Sequence, residues 1–191
     1  LASEGFKDYC PNGLQVEGRA EVNRIVTGVS ASLELFEKAA ERKADAVIVH
    51  HGIIWNFERP VYRGGYKKRV KTLLENDISL YAFHLPLDAH PEVGNNAELA
   101  RLLPFKSLEP FGEYQGSEIG FKGSCEPTHA MDIFDLIKKE INEHALIFPF
   151  GPEKIRTIGI ISGGAQKQVK DAVLQGLDLY VTGETSEHIL H

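Results

Sequence analysis

The chain has 191 residues, of which 42% are hydrophobic and 25% are charged, and its formal net charge at pH 7 is −6. This composition predicts a folded globular chain of one large domain or two small ones, and it excludes long disordered regions. The net negative charge and dispersed basic residues disfavour a nucleic-acid-binding protein, and no apolar run approaches the ~20 residues of a membrane-spanning helix.

The cysteine content indicates where the protein works. Cys10 and Cys125 form neither a disulfide framework nor a Cys-x-x-Cys metal-binding pair. We therefore predict two free thiols and a reducing compartment. Since no signal-type segment opens the chain, we expect a cytoplasmic location.

The first predicted elements form a βαβ unit. Pro11-Asn12-Gly13 is a turn pattern, which we interpret as a surface turn. Residues 24–28 are a predicted strand, and Ser30 or Ser32 can cap the helix that follows. The apolar positions of that helix have the spacing of one buried face: Leu33, Phe36, Ala39 and Ala40. Residues 46–49 complete the unit as a second strand.

That second strand stops on two adjacent histidines, His50 and His51, which are followed by Gly52. Its β-branched and small residues are typical of a strand buried in a parallel sheet, and ligands bind at the carboxyl end of such sheets. Successive side chains on a strand point to opposite faces. Both imidazoles can therefore reach one metal cluster only if the backbone turns at once, which Gly52 permits, or if one metal lies on each side.

A second strand-like run, residues 79–83, also ends on polar residues. It is followed by His84 and, four residues later, by Asp88. Imidazoles together with a carboxylate are the donor set that zinc, manganese and iron(II) bind. The two strand ends therefore predict a metal site.

The next stretches are less distinctive. Residues 59–77 are a basic loop and helix that contain Lys67, Lys68, Arg69 and Lys71. Such a run is usually the solvated face of a helix, and the alternative is an anion-steering surface beside the metal site. Asn95 or Asn96 is expected to cap another helix. Residues 104–152 are predicted to be an inserted α+β segment, with short strands at residues 116–122 and a helix at residues 130–142.

An internal repeat links the two ends of the chain. Residues 25–51 align without a gap to residues 158–184 at a constant offset of 133. At that offset Asp45 aligns with Asp178 and His51 with Glu184. If Thr185 opens a helix, Glu184 and His188 project from one side of it toward the first half.

These elements predict an α/β protein built from two pseudo-repeated βαβ halves, with three layers and mixed sheets around a central metal cleft. The predicted divisions are an N-terminal half at residues 1–103, the insert at residues 104–152, and the start of the second half at residues 153–191.

Four motifs, in order, give the chain a family resemblance over nearly its whole length. It resembles the GTP cyclohydrolase 1 type 2 homologs, also called Nif-three-like dinuclear metal proteins, and most closely their bacterial short form. The motifs are residues 8–18 (DYCPNGLQVEG), residues 49–52 (VHHG), residues 84–90 (HLPLDAH) with residues 94–96 (GNN), and residues 181–184 (VTGE).

The resemblance implies a ring-shaped homohexamer of α/β protomers, each holding two divalent metal ions (Zn, Mn or Fe). It implies that His50, His51 and Asp88 bind metal and that Glu184 is a carboxylate near them. We expect Glu184 or His84 to orient ligands or to shuttle protons. Family members continue past His191 into a stretch that supplies a further histidine and glutamate, and they begin earlier, so we expect truncation at both ends.

The leading hypothesis is a dinuclear metal-dependent hydrolase that acts on a nucleotide-like or otherwise phosphorylated heterocycle. Ring opening of GTP is what the family name implies. The competing hypothesis is a non-catalytic, metal-containing ring that serves as a scaffold for protein or DNA partners.

Overall fold

The structure, a computed structural model, describes residues 3–59 and 61–189. The chain forms two compact units, Leu1–Leu87 and Asp88–His191. The divisions expected from the sequence, after residues 103 and 152, stay predictions. His191, where the truncation was expected, lies outside the described residues.

The first unit contains a four-stranded sheet in the order β1-β4-β3-β2. Strands β2, β3 and β4 are parallel, and β1 pairs antiparallel with β4 at the edge. Its elements are β1 (Gly13–Val16), β2 (Ile25–Ser30), α1 (Leu33–Glu41), β3 (Ala46–His51), α2 (Gly64–Glu75) and β4 (Ser79–Ala82). A short helix, α3 (Leu85–Asp88), follows β4.

Helix α1 forms where the sequence predicts it. Of the two serines considered as caps, Ser32 is the one used, and its hydroxyl accepts a hydrogen bond from the backbone N–H of Leu35 at 3.1 Å. Phe36 and Ala39 are fully buried on the predicted apolar face. They pack with the buried residues of β3 and β4, so that the sheet is anchored from this side.

The second unit contains another four-stranded sheet, in the order β5-β6-β7-β8. Its elements are α4 (Asn95–Arg101), β5 (Lys106–Tyr114), β6 (Ser117–His129), α5 (Ala130–Glu140), β7 (Lys154–Ile161), α6 (Val169–Leu174) and β8 (Leu179–Thr182). Only β7 and β8 are parallel. Thus the predicted α/β class with mixed sheets is confirmed. The predicted short strands at residues 116–122 are in fact one long strand, β6, paired with β5, which was not predicted from the sequence.

The internal repeat is visible in strand register. In the first unit Ile25 of β2 pairs with Ala46 of β3. In the second unit Ile158 of β7 pairs with Leu179 of β8. Both partners are shifted by the same 133 residues, and the next three pairs along each ladder correspond in the same way. The two parallel pairs are therefore built alike.

One predicted cap is wrong. Gly94, not Asn95 or Asn96, precedes α4 as its cap. The amide of Asn95 donates to Asp88 Oδ1 at 2.8 Å, and the fully buried amide of Asn96 donates to the backbone oxygen of Ile119 at 2.7 Å. Both side chains are engaged elsewhere in the second unit, so the helix begins without a side-chain cap. No helix in the described part of the chain is long and apolar enough to cross a membrane.

Candidate metal centre

Strands β3 and β4 bring three histidines to one edge of the first sheet. His50 and His51 are the last two residues of β3. His84 lies two residues after the end of β4, which pairs in parallel with β3 up to Val49 and Ala82. Since the strands run in the same direction, their carboxyl ends meet at the same edge. Histidines that are distant in the sequence therefore become neighbours.

The three imidazole rings lie close enough to share a cation. The ring centroids of His50 and His51 are 4.5 Å apart, those of His50 and His84 are 5.0 Å apart, and those of His51 and His84 are 5.7 Å apart. One nitrogen from each ring lies within 4.8 Å of the other two. Among the described residues this is the group that could hold a metal ion, and three imidazoles with open positions suit a borderline divalent cation.

The Nδ1 atoms of the three rings all contact hydrogen-bonding groups of the first unit. His50 Nδ1 lies 3.0 Å from the backbone oxygen of Phe83, and His51 Nδ1 lies 3.2 Å from the hydroxyl of Ser30. His84 Nδ1 lies 3.0 Å from a carboxylate oxygen of Asp8. A carbonyl or carboxylate can only accept, so Nδ1 of His50 and of His84 carries the proton. Their Nε2 atoms are then the nitrogens with a lone pair for a metal.

Asp8 is the partner that fixes His84. Its side chain is only 2% exposed, and its oxygens accept hydrogen bonds from the backbone N–H groups of Cys10 and Leu85 and from the amide of Asn12. Burial by itself raises the pKa of Asp8, but the bonds from His84, Cys10, Leu85 and Asn12 outweigh it and lower the pKa from 3.8 to about 2. The carboxylate is therefore ionised at neutral pH.

Asp8 was not among the site residues predicted from the sequence. The Pro11-Asn12-Gly13 turn was interpreted as a surface turn, whereas Cys10 is fully buried and Asn12 Oδ1 accepts from the backbone N–H of His84 at 2.8 Å. The available signal was local, since an Asp two residues before Cys10 can close an Asx turn. The contact with His84, 76 residues away, has no local signature.

Gly52 has a packing role that the sequence did not predict. A Cβ atom at Gly52 would lie 2.3 Å from the side-chain oxygen of Gln15. That oxygen accepts from the backbone N–H of Ile53 at 2.8 Å, and the Gln15 amide donates to the backbone oxygen of Pro11 at 2.8 Å. Gly52 thus lets Gln15 approach, and Gln15 joins the segment before β1 to the loop that follows the two histidines.

The predicted site residues fall in both units. His50, His51 and His84 come together in the first unit, and this grouping gives His84 a place among the possible ligands rather than only a supporting one. Asp88 lies in the second unit, where it is 7% exposed and its Oδ1 accepts from Asn95 and from the hydroxyl of Ser162. The role of Asp88 as a ligand stays a prediction.

Glu184 also lies in the second unit. It is exposed after β8, and its carboxylate oxygen lies 3.3 Å from where a Cβ of Gly164 would be. No α-helix opens at Thr185 in the described residues, where a single 3₁₀ turn, Glu187–Ile189, is present instead. The predicted pairing of Glu184 with His188 on one helix side is therefore wrong, and the catalytic role of Glu184 stays a prediction.

Comparison with known proteins identifies clear relatives. A protein-family model described as Duf34/NIF3 (NGG1p interacting factor 3) matches residues 1–191. A Haemophilus influenzae protein named GTP cyclohydrolase 1 type 2 homolog is 47% identical over 192 residues, which cover 100% of this chain and 76% of that protein. An Escherichia coli K12 protein of the same name is 43% identical over 198 residues, with the same two coverages.

Two solved structures have the same fold. A structure described as protein ybgI of unknown function superposes with a TM-score of 0.89 at 44% identity, over 99% of this chain and 75% of that chain. The crystal structure of TTHA1606 from Thermus thermophilus superposes with a TM-score of 0.82 at 34% identity, over 97% of this chain and 73% of that chain. The fold of this chain is thus shared with solved structures at identities of 34% and 44%.

Proposed function

The chain belongs to the Duf34/NIF3 family, and from this membership and the histidine cluster we propose that it is a divalent-metal-dependent hydrolase of a nucleotide-like or otherwise phosphorylated heterocycle. The family resemblance inferred from the four sequence motifs is confirmed. The activity is our proposal, which rests on the chemistry of the residues at the carboxyl ends of β3 and β4.

One observation carries the proposal. His50, His51 and His84 converge within 4.8 Å, while Nδ1 of each ring contacts a carbonyl, a hydroxyl or a carboxylate. A second partner that fixes the tautomer and ring orientation is typical of metal-binding histidines.

The residues of the chain fit a borderline divalent cation, and His50, His51 and His84 would hold it. A cation bound there supplies Lewis-acid activation of water and stabilises a developing oxyanion. The ionised Asp8 keeps His84 Nδ1 protonated, so that this imidazole presents Nε2 throughout a reaction. Because His84 is 8% exposed, it is also shielded from bulk water.

The substrate class rests on the relatives. The Haemophilus and Escherichia relatives carry the name GTP cyclohydrolase 1 type 2 homolog, which favours a purine nucleotide or a related heterocycle for this chain. We further propose the two metal ions per chain and the homohexamer that the resemblance implies. Both are measured directly, by metal analysis of the purified protein and by its mass in solution.

The experiment that tests the hydrolase is an activity panel. The protein is loaded with Zn²⁺, Mn²⁺ or Fe²⁺ and assayed with GTP and a set of phosphoesters, and then compared with His50→Ala. The matched control is His144→Ala, since the His144 side chain is 85% exposed and lies in the second unit. We expect turnover that His50→Ala abolishes and His144→Ala preserves.

Two results of this panel would contradict the hydrolase proposal. If no substrate turns over with any metal, or if activity survives His50→Ala, the hydrolase proposal is wrong. Retention of a protein or DNA partner by both variants would then favour the non-catalytic scaffold.

A further inference from the structure

Three aromatic side chains lie against the histidine cluster, and we call Tyr9, Trp55 and Phe57 the aromatic platform. The ring centroids of Tyr9 and Trp55 are 5.8 Å apart, those of Tyr9 and Phe57 are 5.9 Å apart, and those of Trp55 and Phe57 are 5.8 Å apart. The Trp55 and Phe57 rings are stacked with 29° between their planes. Each ring therefore contacts the other two.

Backbone hydrogen bonds hold the platform in place. The N–H of Asn56 donates to the backbone oxygen of Tyr9 at 2.8 Å, and the N–H of Glu58 donates to that of Trp55 at 3.0 Å. The Asn56 side-chain amide also donates to the backbone oxygen of Asp8 at 3.3 Å. Since the loop after β3 is tied in this way to the segment before β1, the rings are positioned before any ligand arrives.

The platform exposes an aromatic surface to solvent. Phe57 is 70% exposed, although its ring is already anchored by stacking. Exposure alone does not mark a binding surface, since Phe150 is 81% exposed; the distinguishing feature of Phe57 is that its exposed ring stacks on Trp55, which lies beside the histidines. An ordered, exposed aromatic ring gains free energy when another apolar or aromatic surface covers it.

The rings of the aromatic platform lie directly beside the imidazole rings of the histidine cluster. The ring centroids of Trp55 and His84 are 5.3 Å apart, and those of Tyr9 and His84 are also 5.3 Å apart. The centroids of His51 and Trp55 are 6.1 Å apart. A ligand that covers the platform therefore lies next to the atoms that would hold the metal.

A flat heteroaromatic ring satisfies both parts of this surface. Its π face can stack on the aromatic side chains, which every nucleobase can do. Its edge carries nitrogen and oxygen atoms that suit a metal ion or imidazoles. A phosphate group has no face that can stack, so it would use the imidazole end alone and would leave the aromatic rings uncovered.

We propose that the aromatic platform is a stacking subsite for the nucleobase-like heteroaromatic ring of a ligand bound at the histidine cluster. This inference rests on the proposed function, because it assigns the part of the substrate that the site recognises. It also gives a reason for the solvent exposure of Phe57 beside the polar histidine cluster.

The test uses the fact that Trp55 is the only tryptophan of the chain. Its fluorescence is titrated with guanosine, adenosine and ribose, first with Zn²⁺ and then with EDTA. We expect the two nucleosides to quench the fluorescence and ribose to leave it unchanged. Binding is measured without any need for turnover, so the test does not depend on hydrolase activity.

Variants of Phe57 separate stacking from general apolar contact. We expect Phe57→Ala to weaken nucleoside binding about fivefold or more, and Phe57→Leu to weaken it as well, because leucine keeps apolar area but lacks a π face. Phe150→Ala is the matched control, since Phe150 is 81% exposed and lies in the second unit. Circular dichroism checks that each variant is folded.

Three outcomes would overturn the subsite. In two of them ribose binds as tightly as guanosine, or nucleoside binding is unchanged in Phe57→Ala. In the third the mass of the protein in solution changes in Phe57→Ala, which would make the platform a contact between copies of the chain. These outcomes are distinct from failure of the proposed function. Nucleosides that stack but are never turned over leave the subsite standing and remove the hydrolase.

Discussion

The three candidate ligands share one arrangement at the level of single side chains. Each histidine uses Nδ1 for a hydrogen bond within its own unit, and the three partners differ in chemistry: a backbone carbonyl, a serine hydroxyl and a carboxylate. Of these, the carboxylate of Asp8 is the strongest acceptor, because it is ionised and buried. Asp8 is therefore the supporting residue with the largest expected influence on the metal.

Asp8→Asn tests that influence. Asparagine removes the negative charge that holds the proton on His84 Nδ1, and where its amide nitrogen faces that atom it donates instead of accepting, so the ring proton moves to Nε2 and the ligand lone pair is lost. We expect the affinity of the protein for Zn²⁺ or Co²⁺ to fall by about 10- to 100-fold, as measured by competition with a chromophoric chelator. The ¹⁵N chemical shifts of the His84 ring should report the changed tautomer.

The control for this prediction is Asp132→Asn, an exposed aspartate in the first turn of α5. It should leave the metal affinity unchanged. An Asp8→Asn protein that is folded and binds metal like the wild type would show that Asp8 only completes the packing of the N-terminal segment.

At the level of helices and strands, the two repeats correspond in detail. The turn after α1 has a bond from the N–H of Lys43 to the oxygen of Ala40, and the turn after α6 has one from the N–H of Gly176 to the oxygen of Val173. These positions differ by the same offset as the strands. Both Lys43 and Gly176 have positive φ, 53° and 68°. Only glycine adopts that conformation without steric cost.

The repeat therefore predicts a stabilising substitution. Lys43→Gly removes the cost of a left-handed lysine, about 1–2 kcal/mol, which is partly offset by the greater freedom of glycine in the unfolded chain. We expect a net gain of about 0.5–1 kcal/mol in the free energy of unfolding. Urea unfolding followed by Trp55 fluorescence measures it, because the only tryptophan lies in the first unit.

Arg42→Gly is the matched control. Arg42 is the neighbouring residue and has φ −82°, so glycine relieves no strain there and only adds freedom to the unfolded chain. This variant should be less stable than the wild type. Equal effects at positions 42 and 43 would contradict the role assigned to the backbone conformation of Lys43.

A second correspondence concerns the aspartates before β3 and β8. Asp45 Oδ2 accepts from the N–H groups of Asn23 and Arg24 at 2.9 and 2.8 Å. Asp178 Oδ2 accepts from the N–H groups of Arg156 and Thr157, which stand at the corresponding positions of the second repeat. Each carboxylate thus accepts from two consecutive backbone N–H groups of the neighbouring segment, just before β2 in the first repeat and within β7 in the second, so the repeat extends to its hydrogen bonds.

The contribution of Asp45 to the free energy of unfolding should depend on pH. The bonds from Asn23 and Arg24, assisted by Arg19, hold the pKa of Asp45 below its usual 3.8. The Asp45 carboxylate therefore binds a proton more readily in the unfolded chain than in the folded one. Its contribution to stability is complete above pH 3.8 and is lost as the pH falls through the lowered pKa. We expect the stability difference between wild type and Asp45→Asn to be largest near pH 6 and to shrink toward pH 3.

Urea unfolding at several pH values measures this difference, and Glu37→Gln, an exposed change on α1, is the reference. A difference between wild type and Asp45→Asn that stays constant from pH 6 to pH 3 would contradict this role of the Asp45 carboxylate.

For the molecule as a whole, metal binding should appear as stability. The three histidines come from two strand ends, so a cation that bridges them is bound by the folded first unit and not by the unfolded chain. Such a ligand stabilises by about 2.7 kcal/mol when its concentration is 100 times Kd. We expect Zn²⁺ to raise the midpoint of thermal unfolding and EDTA to reverse the increase.

In His84→Ala this response to Zn²⁺ should be strongly reduced, while His144→Ala should respond like the wild type. If both variants respond equally, the cation binds elsewhere and the histidine cluster is not the metal centre.

Patterns local in the sequence anticipated much of this protein. The apolar spacing of residues 33–40 predicted α1 and its buried face, and the β-branched run before His50 predicted β3, because both patterns follow from the period of a single element. The constant offset between residues 25–51 and residues 158–184 predicted two similar βαβ units, and the strand register confirms it. The four motifs were enough to identify the family.

Tertiary structure alone decided which side chains support the predicted metal site. The contact of Asp8 with His84 and the stacking of Phe57 on Trp55 depend on how segments distant in the chain pack. No period or propensity encodes such contacts, because hydrophobic packing fixes them only once the sheet has formed. The candidate ligands could therefore be chosen from the order of residues, whereas their partners and tautomers required the folded chain.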